Sequence, residues 1–296
     1  MAREDYLCSL PSKGYRGKLI QALNVWYDAS AEETEAIRST VDDIHNLSLM
    51  LDDVQDSSPL RRGKPATHVV FGLAQTVNSA TYQIVEVVSR SLQRYGEAFT
   101  NVVLEEMKNI LVGQGVDLFW THDVVSSPSV DEYLHMVDGK TGGLFRMVSR
   151  LLALQSQPTS AGPDLDHLMT LFGRLFQIRD DYANLAIDQY KEQKGFCEDL
   201  DEGKISYILI KAFGMADQRQ RTIMRSLLQE RAARRCSGRE YKELLLAIME
   251  ESGAMAHTGV AVGALCDASI AEIRKIEETT GKTNPMMVKI VESLRL

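Results

Sequence analysis

The segment LMLDDVQDSSPLRRGKP sets Asp52, Asp53 and Asp56 just ahead of Arg61, Arg62 and Lys64. On a helix, Asp52 and Asp56 are four residues apart, so their carboxylates leave one face about one turn apart. Like charges at that spacing repel by roughly 0.2–0.5 kcal/mol on an open surface, and by more when sheltered. A cation should therefore bridge them. Carboxylate oxygens suit Mg²⁺, which commonly takes one or two of them and completes its shell with water and substrate phosphate. The guanidinium forks of Arg61 and Arg62 match phosphate bidentately. Acid followed by base in this order reads as a metal–diphosphate site. Taken alone, the cluster has a competing reading as a solvated helix end with the arginines as counter-charge. A calcium loop does not fit, because the glycine and ligand periodicity of an EF-hand is missing.

A second cluster, FQIRDDYANL, repeats the helical offsets with Asp180, Asp181 and Asn184, and is followed by Lys194 and Lys204. Two acidic helix faces, each followed by cations, are expected to form two walls of one site. On the first helix His45, Ser48, Asp52 and Asp56 step by 3, 4 and 4. They make a polar stripe beside the apolar one, and such a stripe should face a cavity or water. A lone histidine is more often a core residue; within this stripe His45 reads as a binding group. Phe176 and Tyr182 read as packing residues.

The elements that would carry these groups are helical. Ile37, Val41, Ile44, Leu47, Leu51 and Val54 trace one α-helical stripe, and Glu32, Glu33 and Glu35 precede it where acids favour a helix start. Tyr241, Leu244, Leu245 and Ile248 repeat the pattern, as do Met287, Ile290, Val291 and Leu294. The β-branched pairs Val69–Val70 and Val87–Val88 lack turn signals at strand spacing and read as helical. The seven prolines leave a long proline-free stretch between Pro163 and Pro285, which suits long helices with short loops. The segment 155–166 (QSQPTSAGPDLD) reads as a loop within a single all-α domain spanning 1–296, because apolar helical pattern resumes directly after it.

Composition narrows the class. With 44% apolar and 25% charged residues in 296, the chain is ordinary globular protein, not disordered, collagen-like or disulfide-dense. A net charge of −8 argues against a general nucleic-acid binder but leaves room for a local basic pocket. No window approaches the roughly 20 uncharged apolar residues of a membrane span, so no stable membrane anchor is expected. The first twenty residues lack a signal-peptide apolar region and the character of a transit peptide. Cys8, Cys197, Cys236 and Cys266 are scattered without a CxxC pair, which favours reduced thiols and a cytoplasmic setting.

With both aspartate-rich motifs and KTGGLF between them, the chain resembles the eukaryotic, fungal-type geranylgeranyl diphosphate synthases, within the trans-prenyltransferases. The resemblance runs through PSKGYRGKLIQALNVW, HNLSLMLDDVQDSSPLRRGKP, NSATYQ, GQGVDLFW, YLHMVDGKTGGLF, FQIRDDYANL and FCEDLDEGKIS, densely over about the first 210 residues. It implies an isoprenoid-synthase helical bundle around a central cavity, with three Mg²⁺ ions per site. Asp52 and Asp56 would bind metal on one wall and Asp180 on the other, with Asp53 and Asp181 auxiliary. Lys13, Arg16, His45 and Arg62 would hold the diphosphate of isopentenyl diphosphate. Arg61, Lys140, Thr141, Gln177, Asn184, Lys194 and Lys204 would hold the allylic diphosphate, Lys140 and Lys204 within the catalytic set. Gln114 and Asp117 match a further motif near the metals. Gly142 and Gly143 serve either the site or close helix packing.

The implied reaction is Mg²⁺-dependent condensation of isopentenyl diphosphate with dimethylallyl, geranyl or farnesyl diphosphate. Metal and pre-placed cations would stabilise the departing pyrophosphate, and water would be excluded from the allylic cation. Leu47 and Ser48, one turn below Asp52, are the expected chain-length positions. Neither is aromatic, so the floor is open to a twenty-carbon product, geranylgeranyl diphosphate. Leu47 stands where the family usually has Ala or Ser, which leaves that ceiling open in either direction. A class I terpene cyclase is the alternative, although no asparagine starts the second motif such enzymes usually carry. A non-catalytic partner subunit is the other, against which both carboxylate clusters are intact. The resemblance also implies a homo-oligomer. Because the chain begins almost at the first helix, an excised prenyltransferase half of a bifunctional terpene synthase is expected.

Overall fold

Ser30 begins the helix that carries the first aspartates. Its hydroxyl accepts from the Glu33 amide while the Glu33 carboxylate accepts from the Ser30 amide, a complete capping box. The computed structural model describes residue 6 and residues 15–122, 127–155, 162–186, 197–232 and 238–296. Among these lie α1 (Tyr15–Tyr27), α2 (Ala31–Gln55), a hairpin of β1 (Leu60–Arg61) and β2 (Lys64–Pro65), α3 (Thr67–Phe71) and α4 (Leu73–His122). Then come α5 (Val130–Lys140), α6 (Gly142–Gln155), α7 (Asp166–Ala186), α8 (Glu198–Glu202) and α9 (Tyr207–Met215). The chain continues through α10 (Gln218–Ala232), α11 (Arg239–Glu251), α12 (Ala254–Thr280) and α13 (Pro285–Glu292).

The all-α reading holds with one correction, the two-stranded hairpin. Leu60 pairs with Pro65 and Arg61 with Lys64 in antiparallel register. The turn residues Arg62 (φ 55°) and Gly63 (φ 75°) both have positive φ, the handedness that matches the twist of short antiparallel strands. The turn signal was a single glycine inside a basic run, too slight to mark strands. Val69–Val70 and Val87–Val88 are helical, in α3 and α4. Helix α4 is broken at Gly96 (φ 80°, ψ −173°), a backbone conformation suited to glycine alone.

The apolar stripe of α2 is buried from Ile37 through Val41 and Ile44 to Leu47. It packs on α4 and α6, while α7 packs against α6 and α12. Burying such a stripe, at about 1.5–3 kcal/mol per large side chain, is what holds the aspartate-bearing end of α2 in place. Tyr241, Leu245 and Ile248 of α11 are buried as their spacing suggests, but Leu244 faces outward. Met287, Ile290, Val291 and Leu294 are all buried.

The expectation that no segment reaches membrane-span dimensions needs correction. Helix α12 is long and apolar enough by length and composition. Its hydropathy comes largely from Ala, Val, Leu and Ile. Thr258, Val262, Cys266, Ser269 and Ile273 are buried along one face of it, and it packs along α7 and α9. Gly142 serves close packing: a Cβ added at Gly173 would sit 2.8 Å from the Gly142 Cα, so α6 and α7 meet nearly backbone to backbone. A Cβ at Gly143 would sit 2.9 Å from Ile110 Cγ1 of α4.

Candidate active site

The first wall is the C-terminal end of α2. Asp53 is fully buried and gripped by Arg61 from the hairpin, whose Nε donates to Asp53 Oδ1 at 2.7 Å and whose Nη2 also reaches Asp52 Oδ2 at 3.3 Å. Burial would lower the Arg61 pKa, but Asp53 and Asp52 outweigh it and the guanidinium stays charged. Asp56 is the C-cap of α2, with its backbone N–H on the Asp52 carbonyl. A carboxylate there faces the negative end of the helix dipole. Burial first, then Asp52 and Glu202, push the Asp56 carboxyl up to about 8.

Cations and donors from neighbouring helices reach the same wall. Gln114 of α4 donates to Asp52 Oδ1 at 3.2 Å and to Gln55 Oε1 at 2.9 Å. Lys140, the last residue of α5, places Nζ 2.5 Å from Asp117 Oδ2 and 3.6 Å from Asp52 Oδ1. Burial would lower the Lys140 pKa, yet Asp117 and Asp52 raise it further, so it is an ammonium.

The second wall is on α7. Asp181 is buried, and its Oδ1 accepts from Gln177 Nε2 at 2.8 Å and faces Lys204 Nζ at 3.2 Å. The Thr141 hydroxyl, one residue beyond Lys140, donates to Gln177 Oε1 at 2.6 Å. Lys204 also approaches Asp199 Oδ2 at 3.8 Å. Burial works against its charge, but Asp199, Asp181, Asp117 and Asp180 raise its pKa well above the usual lysine value. Asp117 thus acts on both Lys140 and Lys204, and the two lysines repel each other. Thr141–Gln177–Asp181–Lys204 runs from the Lys140 side to the second wall. The two acidic clusters therefore belong to one polar basin.

A third group lies on the stripe of α2. His45 is pushed well below the ordinary histidine pKa, by burial and then by Arg16, Arg62 and Arg61. Three guanidiniums thus surround a neutral imidazole. Arg16 of α1 is held by Asp42 of α2, Nε to Oδ1 at 2.5 Å. Ser48 is half-buried on the same stripe and donates to the His45 carbonyl at 2.8 Å. Leu47, one position round the helix, is buried in the core. Asn184 is buried, with its Oδ1 on the Asp199 amide at 3.4 Å. Lys13 and Lys194 lie outside the described residues, as do Cys8 and Cys236. Cys197 and Cys266 are buried free thiols.

Three residues escaped sequence reasoning. Tyr133 of α5 is buried and donates its hydroxyl to Asp181 Oδ2 at 2.7 Å. Burial and then Asp181 raise its pKa well above the usual phenol value, so it remains a donor. It stands two turns before Lys140, a spacing that would have marked the shared face. Ser58 donates to Glu202 Oε1, linking the segment after the first aspartates to α8. Glu202 was hidden in the charge run EDLDEGK, and only proximity in space distinguishes it.

The residues fit Mg²⁺. Among the described residues no three His, Cys, Asp or Glu side chains form a ready-made cage. A magnesium site shared with a diphosphate does not require one, because substrate oxygens and water complete the shell. Among the described residues, buried Asp53 Oδ2, Asp117 Oδ1 and Asn184 Nδ2 have no hydrogen-bond partner. Two are hard anionic oxygens and the third is a donor suited to phosphate. Charge-assisted partners are what such atoms require when water is excluded.

The polyprenyl synthetase family profile matches residues 2–245. The chain belongs to the polyprenyl synthetase family. This polyprenyl synthetase is 49% identical over 292 residues to geranylgeranyl pyrophosphate synthase A of Phomopsis amygdali, covering 98% of this chain and 75% of that protein. It is 42% identical over 295 residues to geranylgeranyl pyrophosphate synthase 2 of Gibberella fujikuroi, covering 99% of this chain and 74% of the other. It is also 42% identical over 293 residues to a bifunctional type I diterpene synthase of Aspergillus flavipes, covering 98% of this chain but 38% of that longer protein. Several further fungal relatives are spanned over only about two-fifths of their length. Magnesium-dependent prenyl transfer is the chemistry of this family, and prenyl diphosphates fit it as substrates.

Proposed function

We propose that this polyprenyl synthetase condenses isopentenyl diphosphate with dimethylallyl, geranyl and farnesyl diphosphates, ending mainly at geranylgeranyl diphosphate. The observation that carries the reading is the placement of Lys140 and Lys204 in one carboxylate-lined basin, joined through Thr141, Gln177 and Asp181. The geranylgeranyl pyrophosphate synthases among the relatives support the product assignment.

Asp52 and Asp56 on one wall and Asp180 on the other are the residues that would hold three magnesium ions, with Asp53 and Asp181 auxiliary. When bound, magnesium supplies Lewis-acid neutralisation of the charge developing on departing pyrophosphate. Arg61, Lys140, Thr141, Gln177, Asn184, Lys194 and Lys204 hold the allylic diphosphate and stabilise it as a leaving group. Lys13, Arg16, His45 and Arg62 hold the diphosphate of isopentenyl diphosphate. His45, neutral at pH 7, offers one N–H beside the arginines. The C–O bond of the allylic diphosphate breaks, and the double bond of isopentenyl diphosphate attacks the cation. The released pyrophosphate takes the proton that restores a double bond. The apolar flanks of α2 and α4 keep water from the cation.

The unpartnered apolar residues Leu104, Leu111, Val112 and Phe119 on the outer side of α4 favour a homo-oligomer. The match to a bifunctional diterpene synthase also suits a prenyltransferase unit joined to a cyclase in a longer protein. The purified chain is tested with isopentenyl diphosphate, each allylic primer and Mg²⁺, with products resolved by chromatography. Geranylgeranyl diphosphate as the main product supports the proposal. Hydrocarbon released from an allylic diphosphate alone would favour the cyclase alternative, and no turnover would favour a partner subunit.

A further inference from the structure

Tyr133 lies in the first turn of α5, two turns ahead of Lys140. It is 1% exposed, and its ring lies 6.0 Å from that of Tyr207 on α9 at a tilt of 58°. A buried phenol normally finds a hydrogen-bond partner. Here the partner is Asp181 Oδ2, at 2.7 Å. The other oxygen, Oδ1, already takes Gln177 Nε2 and Lys204 Nζ. Donors from α5, from α7 and from the turn after α8 thus converge on one carboxylate.

We infer that Tyr133 is a positioning residue for the allylic diphosphate subsite: through Asp181 it fixes the direction in which Lys204 and Gln177 face the substrate. The inference rests on the proposed function, which assigns those two side chains to the allylic diphosphate. Asp181 spends its oxygens on protein donors and works as a hub, while the charge of neighbouring Asp180 acts on the same Lys204. The Tyr207 ring keeps the phenol from swinging away, and the Tyr133 hydroxyl selects one carboxylate rotamer. Without that hydroxyl, Asp181 Oδ2 loses the donor that holds it among the described residues, and the carboxylate can rotate. Lys204 and Gln177 then lose their fixed reference, although neither is altered. The proposed isopentenyl diphosphate subsite is built on Arg16, His45 and Arg62, and Arg16 is tied to Asp42 of α2.

The experiment is steady-state kinetics of the full chain, with farnesyl and isopentenyl diphosphates varied separately in saturating Mg²⁺. Tyr133→Phe keeps the ring and removes only the hydroxyl. The expected result is a rise of about tenfold in KM for farnesyl diphosphate, with KM for isopentenyl diphosphate within about twofold of the parent. Asp181→Asn and the double variant complete a cycle. If Tyr133 acts through Asp181, adding Tyr133→Phe to Asp181→Asn has little further effect. Unchanged KM values, or an equal rise in both with a lowered melting temperature, overturn the inference in favour of simple packing. Lys204→Ala separates it from the reading beneath it. An impaired Lys204→Ala beside a normal Tyr133→Phe overturns only the role of Tyr133, whereas two normal variants overturn the allylic subsite as well.

Discussion

Lys140 joins the first aspartate helix to α4: its ammonium lies 2.5 Å from Asp117 Oδ2 and 3.6 Å from Asp52 Oδ1. One cation thus restrains two carboxylates while remaining at the edge of the basin. Lys140→Ala removes a leaving-group donor and leaves buried Asp117 unpaired. The expected loss in kcat/KM is about a hundredfold, with stability lowered by about 3 kcal/mol. Single-turnover kinetics and urea denaturation measure the two effects separately.

Asp56 gives the site a pH signature. Its carboxyl, pushed up to about 8 by burial, Asp52 and Glu202, holds a proton in the metal-free native state that the unfolded chain has already released. The folded protein binds the extra proton between about pH 4 and 8, so stability falls as pH rises through that window, by at most about 1.4 kcal/mol per unit. His45 contributes with the opposite slope. Its pKa is depressed when folded, so its contribution is present above about pH 6.5 and is lost as pH falls below it. Denaturation in chelator from pH 5 to 8 should show Asp56→Asn removing the alkaline decline and His45→Gln removing the acid one. Added Mg²⁺ should flatten the alkaline decline in the parent.

The sequence disclosed the helical offsets of the aspartates, because four-residue spacing on a regular helix leaves little freedom in where carboxylates point. It disclosed the core for the same reason, with Ile37, Val41, Ile44 and Leu47 buried as their period requires. What it could not disclose are partners brought together only by tertiary packing. Tyr133 meets Asp181 across two helices, and Ser58 meets Glu202 between the segment after α2 and α8. Each looks ordinary in its own segment. Local pattern also failed where small residues or a two-residue turn decided the outcome, as in apolar α12 and the hairpin at Arg62–Gly63. Leu244 shows that an apolar residue on a helical period can still lie at the edge of the buried face.

Chain length offers a test of how α2 is read. Ser48 shares a stripe with His45 and Asp52, one turn below the metal-binding end, whereas Leu47 is buried in the core. Ser48→Phe is expected to shift the main product from twenty to fifteen carbons, with isopentenyl diphosphate still consumed. Chromatography of dephosphorylated products reads the shift, and an unchanged distribution would remove Ser48 from the pocket floor.

The most direct measurement is a crystal structure of the chain with a non-hydrolysable allylic thiodiphosphate and Mn²⁺, read from anomalous maps. Metal peaks between Asp52 and Asp56 on one side and Asp180 on the other, each touching the bound diphosphate, are the predicted result. Metal peaks on separate surfaces, or a diphosphate bound away from both carboxylate sets, would contradict the shared site.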